Sequence, residues 1–280
     1  ASKSGQVKSG DRIIGVAQDG EKMVDVIGWP SNEIVGLIRG KRGTKVTIRL
    51  LGSGAPMSQA RNVTITRDVI QEEDAGVRSR TVNVTRDGQQ YTFGVIEIPS
   101  FYLNYRARRA GTEYRSVSED TNNALKTLAA KNISGIIIDL RNNPGGSLEE
   151  VARMLGQVIK SGPVVQIRDG NGNVSVFEDD DNGAQTYAGP LAVMVNLASA
   201  SASEIYSAAI QDYGRGIVIG STTTGKGTAQ VQLDTLAHGQ ATLTQRKFYR
   251  VTGGSTQNKG VIPDIKLVDI YDEEFGERKA

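Results

Sequence analysis

The chain has 280 residues, enough for one large domain or two smaller ones. Its net charge of +2 offers no broad attraction to nucleic acid or to an anionic membrane, and its 38% apolar content fits a folded globular protein. No apolar run approaches the roughly 20 residues that span a bilayer. Cysteine is absent, which excludes disulfides, thiol nucleophiles and thiolate metal sites and fits an oxidising compartment. The single histidine, His238, excludes a histidine metal cluster; a Ser-His-Asp triad would have to use it, yet it stands in A-H-G-Q, which reads as an exposed turn between two strands. The chain opens A-S-K-S-G-Q with neither Met nor a leader, which reads as a cut into an existing domain.

Residues 1–75 read as a small mixed module. Residues 10–16 (G-D-R-I-I-G-V) alternate into a strand after a Gly-Asp turn. In W-P-S-N-E-I-V-G-L-I, Ser31 or Asn32 suits an N-cap, with Ile34, Val35, Leu37 and Ile38 as the apolar face of a helix. Residues 45–51 and 62–66 alternate as two strands of a hairpin. This run resembles the later two-thirds of a PDZ domain; the earlier part, with the carboxylate-binding loop and the peptide-pairing strand, is missing. A complete PDZ module binds a chain terminus by adding it as a strand. A nondescript α/β packing module is the plainer reading of the same residues.

Residues 68–80 are polar and read as a linker. Residues 76–268 then form the main domain and 269–280 a charged tail. Strands are expected at 81–85 and 91–98, joined by a turn whose Asp87-Gly88 pair is a strong hairpin signal. Residues 99–105 (P-S-F-Y-L-N-Y) read as leaving the sheet with exposed aromatics, and 113–131 as a helix. The β-branched run 135–140 (G-I-I-I-D-L) suggests a strand buried on both faces, as in a parallel sheet. A helix over 148–161 and a strand over 164–168 follow, then a loop or loose hairpin over 169–185. Strands at 191–195 and 216–219 flank a helix at 204–212, residues 229–233 and 240–249 form a hairpin, and a short strand ends the domain. The fold class is therefore mixed α/β, with strand–turn–helix units carrying right-handed crossovers.

In open α/β sheets, sites form beyond the C-terminal ends of the strands, and three turns fall there. Pro144-Gly145-Gly146-Ser147 lets backbone N–H groups approach an anion without a Cβ in the way, or is simply a tight strand-to-helix turn. In A-S-A-S-A-S-E, residues 198–204, small neighbours leave a serine hydroxyl exposed at a strand-to-helix junction, and the N–H of Ala202 is placed to donate to an oxyanion. The alternative is helix capping, with Ser199 or Ser201 as N-cap and Glu204 near N3. The third turn, G-S-T-T-T-G-K-G-T at 220–228, approaches a phosphate-binding P-loop, but Gly227 occupies the Mg²⁺-binding Ser/Thr position and the following T-A-Q-V-Q-L alternates like a strand. A lysine acts as a base only when neutral, well below its ordinary pKa of ~10.4, which burial among small apolar groups can bring about. Lys226, between two glycines, has such a setting, and Gln230 could orient it.

Together, D-L-R-N-N-P-G-G-S (139–147), S-A-S-A-S-E-I (199–205), Q-D-Y-G-R (211–215), T-G-K-G-T-A-Q (224–230) and K-F-Y-R-V-T-G-G-S-T-Q-N-K-G-V-I-P-D-I (247–265) resemble the C-terminal processing peptidases, or tail-specific proteases, of the periplasmic type. The 25 residues from Ser201 to Lys226 and the further four to Gln230 match that family. The resemblance implies a PDZ domain beside a mixed α/β protease core, with Ser201 as nucleophile, Lys226 as general base and Gln230 positioning the lysine. The oxyanion donors would be the N–H groups of Ala202 and Gly146, with Gly145 next. It implies peptide-bond hydrolysis through an acyl-enzyme, protein or peptide substrates with apolar C-termini, no metal or cofactor, and a bacterial periplasm or cell envelope, with membrane association only through missing segments. Pro144 stands where many members carry glycine, which stiffens that turn. A catalytically idle, peptide-binding scaffold is the alternative from another class.

Overall fold

Alternating apolar residues fold the first part of the chain into an antiparallel sheet. The computed structural model describes residues 5–68, 76–112, 114–178, 185–233 and 241–269. It divides into two units, residues 1–72 and 73–280, each with its own apolar core. In the first unit, β1 (Arg12–Gln18), β2 (Val24–Asp25), β3 (Lys45–Leu51) and β4 (Arg61–Thr66) form a sheet in the order β2-β1-β3-β4. Val16, Val26, Val46, Ile48, Leu50 and Val63 are its buried core.

Helix α1 (Ser31–Ile38) lies on that core through Ile34, Leu37 and Ile38, which share a face at i, i+3 and i+4 spacing. Val35 is about a quarter-turn away and 39% exposed, so it does not belong to the apolar face. The cap also differs from expectation. Pro30 holds the N-cap position, and Ser31 and Asn32 fall inside the first turn; the fixed φ of proline suits a helix start. At the other end α1 has no basic residue of its own, and the Arg67 guanidinium donates to the carbonyls of Leu37 and Ile38.

The second unit is built on a six-stranded sheet. Its strands are β5 (Arg78–Arg86), β6 (Gln89–Glu97), β7 (Gly135–Asp139), β10 (Leu191–Val195), β11 (Ile217–Gly220) and β14 (Ile265–Lys266), in the order β14-β11-β10-β7-β6-β5. All neighbours are parallel except β5 with β6. That hairpin turns at Asp87 and Gly88, both at positive φ, as the Asp-Gly signal requires. Helices α2 (Tyr105–Arg109) and α3 (Val117–Ala129) connect β6 to β7; α4 (Leu148–Gly156) follows β7, and α5 (Ala202–Asp212) connects β10 to β11. A second, antiparallel sheet has the order β12-β13-β8-β9, from β8 (Pro163–Asp169), β9 (Val174–Glu178), β12 (Thr228–Leu233) and β13 (Ala241–Tyr249). The molecule is thus a mixed α/β protein.

Several expectations shift. β5 begins at Arg78, so the linker read over 68–80 cannot extend through its last three residues. Helix α3 begins only at Val117, where Ser116 accepts from the Glu119 N–H as N-cap. Of the two alternatives for the stretch after β8, the hairpin holds over its described part, where β9 pairs antiparallel with β8. Phe101 is 1% exposed rather than an exposed aromatic, packed beside Tyr206 with ring centroids 6.3 Å apart. His238 and residues 270–280 lie outside the described residues. Among the described residues no helix is long and apolar enough to cross a membrane.

Candidate active site

Because β7, β10 and β11 run parallel and adjacent, the three turns that follow them leave the sheet at the same edge. The turn after β7 is shaped by Asn143, which is fully buried. Its amide nitrogen donates to the Ile98 carbonyl, its amide oxygen accepts from the Gly145 N–H at 2.9 Å, and its carbonyl accepts from the Ala200 N–H and the Ser203 hydroxyl, both at 3.0 Å. One asparagine therefore stitches the glycine turn to the serine turn. Gly145 sits so close that a Cβ there would lie 2.8 Å from the Ala200 carbonyl oxygen and 2.9 Å from Ser201 Cβ. A Cβ on Gly146 would lie 2.3 Å from the Phe101 carbonyl oxygen, and both glycines have positive φ. Only glycine fits either position.

Phe101 brackets this turn from the far side, donating its N–H to the Gly145 carbonyl and accepting from the Ser147 N–H at 2.8 Å. That pairing draws its ring into the core. The Gly145 N–H is committed to Asn143, whereas among the hydrogen bonds of the described residues none uses the N–H of Gly146 or Ala202. The Ala202 N–H opens α5 directly after Ser201, where the helix dipole favours negative charge.

Ser201 is the N-cap residue of α5 and has φ 57° and ψ −111°, a backbone conformation that L-residues avoid. Both readings of the serine stretch therefore meet in one residue: it caps a helix, and it stands on a strained strand-to-helix turn of the kind that exposes a nucleophile. Ser199 and Ser203 are fully buried and structural. The Ser199 hydroxyl donates to the Leu140 carbonyl at 2.8 Å.

Glu204 is the residue whose importance the sequence understated. Fully buried at the N3 position of α5, it accepts from the Ser201 N–H at 2.8 Å and from the Lys226 N–H at 2.8 Å through one oxygen. Through the other it accepts from the Thr223 hydroxyl at 2.6 Å and the Gly225 N–H at 2.8 Å. Burial pushes its carboxyl above the ordinary range, and these four donors pull the other way. A single carboxylate thus ties the serine turn to the lysine turn. The S-x-x-E spacing signalled a capping box but not the long-range half of the network, because Thr223 and Gly225 are remote in sequence.

Lys226 is half-buried, on a turn further held by Thr224, whose N–H donates to the Ser199 carbonyl and whose hydroxyl donates to the Leu197 carbonyl. Gln230 is exposed on β12, next to a bulge at Ala229, and its amide nitrogen is shared between the hydroxyls of Thr228 at 2.9 Å and Thr244 at 3.4 Å. The chain continues from Lys226 into strand β12 rather than into a helix, so no helix N-terminus is available to cradle phosphate and the P-loop reading fails.

The sequence pattern of peptidase family S41 matches residues 92–267. The chain is 41% identical to the tail-specific protease of Haemophilus influenzae, in an alignment covering 100% of this chain and 39% of that protein. It is 32% identical to the carboxy-terminal processing protease CtpA of Bacillus subtilis, over 95% of this chain and 50% of that one. Among solved structures, the photosystem II D1 C-terminal processing protease superposes with a TM-score of 0.57 at 26% identity, covering 95% of this chain and 65% of that one. The chain therefore spans half or less of the length of these curated relatives. With a match over residues 92–267, which include all three turns, the chain belongs to peptidase family S41.

Proposed function

We propose that the protein is a serine endopeptidase with a Ser201–Lys226 dyad, cutting proteins that it recognises by a nonpolar C-terminus. The observation that carries this reading is the Glu204 carboxylate, which holds the Ser201 N–H and the Lys226 N–H on one oxygen. In the proposed reaction, neutral Lys226 takes the proton of the Ser201 hydroxyl as its oxygen attacks the scissile carbonyl carbon. The carbonyl oxygen becomes an oxyanion, stabilised by the N–H groups of Gly146 and Ala202; Gly145 ranks below them because its N–H is already bound to Asn143. Collapse breaks the C–N bond, and the leaving amine takes the proton from the lysine. A water then gives its proton to Lys226 and attacks the acyl-enzyme, releasing the new C-terminus and returning the proton to Ser201.

Gln230, with its amide nitrogen held by Thr228 and Thr244, keeps its oxygen as an acceptor for the lysine ammonium. The first unit, by its resemblance to part of a PDZ domain, is the proposed site of C-terminal recognition, and the bacterial periplasm the proposed compartment. The test is cleavage of an unfolded protein with an apolar C-terminus by the full chain and by Ser201→Ala and Lys226→Ala. Loss of cleavage in both supports the dyad; full activity in either sinks it. Binding of C-terminal peptides by a wild-type protein that never turns them over would favour the idle scaffold instead.

A further inference from the structure

Lys226 is flanked by two glycines, so nothing in its own neighbours' side chains fixes its direction. The backbone around it is fixed from outside. Glu204 holds the N–H groups of Gly225 and Lys226 from the α5 side. The opposite side is held by residues 255–258, which the reaction outlined above does not use. Gln257 Oε1 accepts from the Gly227 N–H at 2.7 Å, and the Asn258 N–H donates to the Gly225 carbonyl at 2.8 Å.

This support is itself preorganised. The Gln257 N–H donates to the Ser255 hydroxyl, which donates to the Phe248 carbonyl, while the Phe248 N–H donates to the Gly227 carbonyl at 2.7 Å. The Gln257 amide nitrogen donates to Asn258 Oδ1 at 2.8 Å. Its orientation follows from chemistry: the Gly227 N–H can only donate, so the atom facing it must be the oxygen. The two backbones pack closely here, since a Cβ on Gly227 would lie 2.6 Å from the Gln257 backbone nitrogen.

We infer that Gln257 is a positioning residue of the protease reaction, holding the Gly225–Gly227 turn so that Lys226 reaches the Ser201 hydroxyl. The inference rests on the dyad reading. A small misplacement of a reacting group lowers the rate of the chemical step without weakening substrate binding. The near-isosteric Gln257→Met removes the acceptor and leaves the Gly227 N–H unpaired, while Gln257→Glu keeps an acceptor.

The experiment measures kcat and KM on an unfolded protein with an apolar C-terminus, for the full chain carrying each variant, with Ser201→Ala and Lys226→Ala alongside and a thermal melt of each. The expected result for Gln257→Met is a kcat about 10- to 100-fold lower with KM within about twofold, and for Gln257→Glu a smaller loss, because the acceptor for the Gly227 N–H returns while the donor to Asn258 Oδ1 does not. Asn258→Gly keeps the positive φ at that residue (59° in the wild type), removes the anchor of the Gln257 amide, and should fall in between. Wild-type kcat in folded Gln257→Met, with both dyad variants inactive, overturns the role of Gln257 and leaves the dyad standing. Equal losses in the Met and Glu variants also overturn it. If Gln257→Met does not fold, Asn258→Gly decides, and wild-type kcat there counts against the inference. Activity retained in Lys226→Ala would instead remove the dyad reading beneath it.

Discussion

At Glu204 two demands compete: burial raises the free energy of a carboxylate, and four donors lower it again. Each buried donor left without a partner costs about 1–3 kcal/mol. Glu204→Ala would strip an acceptor from Ser201, Thr223, Gly225 and Lys226 together. A thermal melt should show a clear loss of stability, and a peptide-cleavage assay the near-complete loss of activity. Glu204→Gln keeps only one accepting oxygen, so it should fold and remain strongly impaired; wild-type turnover in it would show that the network does not position the dyad. Ser201 presents the opposite balance. Its φ of 57° stores strain of about 1–3 kcal/mol. Ser201→Gly should therefore melt higher than Ser201→Ala, both being inactive, and equal melting temperatures would mean the turn is not strained. The two residues of the proposed dyad stand out in the sequence, because a serine between alanines and a lysine between glycines are unusual settings. Asn143 and Gln257 do not, because their roles consist of bonds to backbone groups of remote segments.

Among the elements, those with a strong local signal appear where the sequence placed them. The β7 run G-I-I-I-D is a central strand whose Ile136 and Ile138 share the core with residues of α3, α4 and α5, and the Asp87-Gly88 turn closes the β5–β6 hairpin. Local signals failed where a tertiary contact decides. Phe101 reads as a surface aromatic in P-S-F-Y-L-N, yet its backbone bridges Gly146 and its ring follows into the core. Helix α1 draws its C-terminal cap from Arg67, which no pattern within the helix announces. The same bridge makes Gly146 sensitive. Gly146→Ala would drive a Cβ into the Phe101 carbonyl oxygen and displace the N–H assigned to the oxyanion. Loss of one such donor lowers kcat by about 10²–10³-fold. Steady-state kinetics should show that loss in kcat, and an unchanged kcat would exclude Gly146 as a donor.

Across the whole molecule, two units of unequal core share one chain. Among the described residues, the first buries six apolar side chains in its cluster, the second more than four times as many. A small core leaves little margin over conformational entropy, so the first unit should unfold first. Trp29 is the only tryptophan in the chain and lies in that unit. Its fluorescence should therefore report a transition at lower temperature than far-UV circular dichroism, which is dominated by the second unit. Coincident transitions would mean that the units unfold as one.

The account turns on Ser201 being made nucleophilic by Lys226. The direct measurement is covalent labelling of the full chain with a serine-directed acylating reagent, read by intact mass and peptide mapping. The prediction is one adduct, on Ser201, formed far more slowly in Lys226→Ala. Labelling of Lys226→Ala at the wild-type rate, or an adduct elsewhere with Ser201 unmodified, would contradict it.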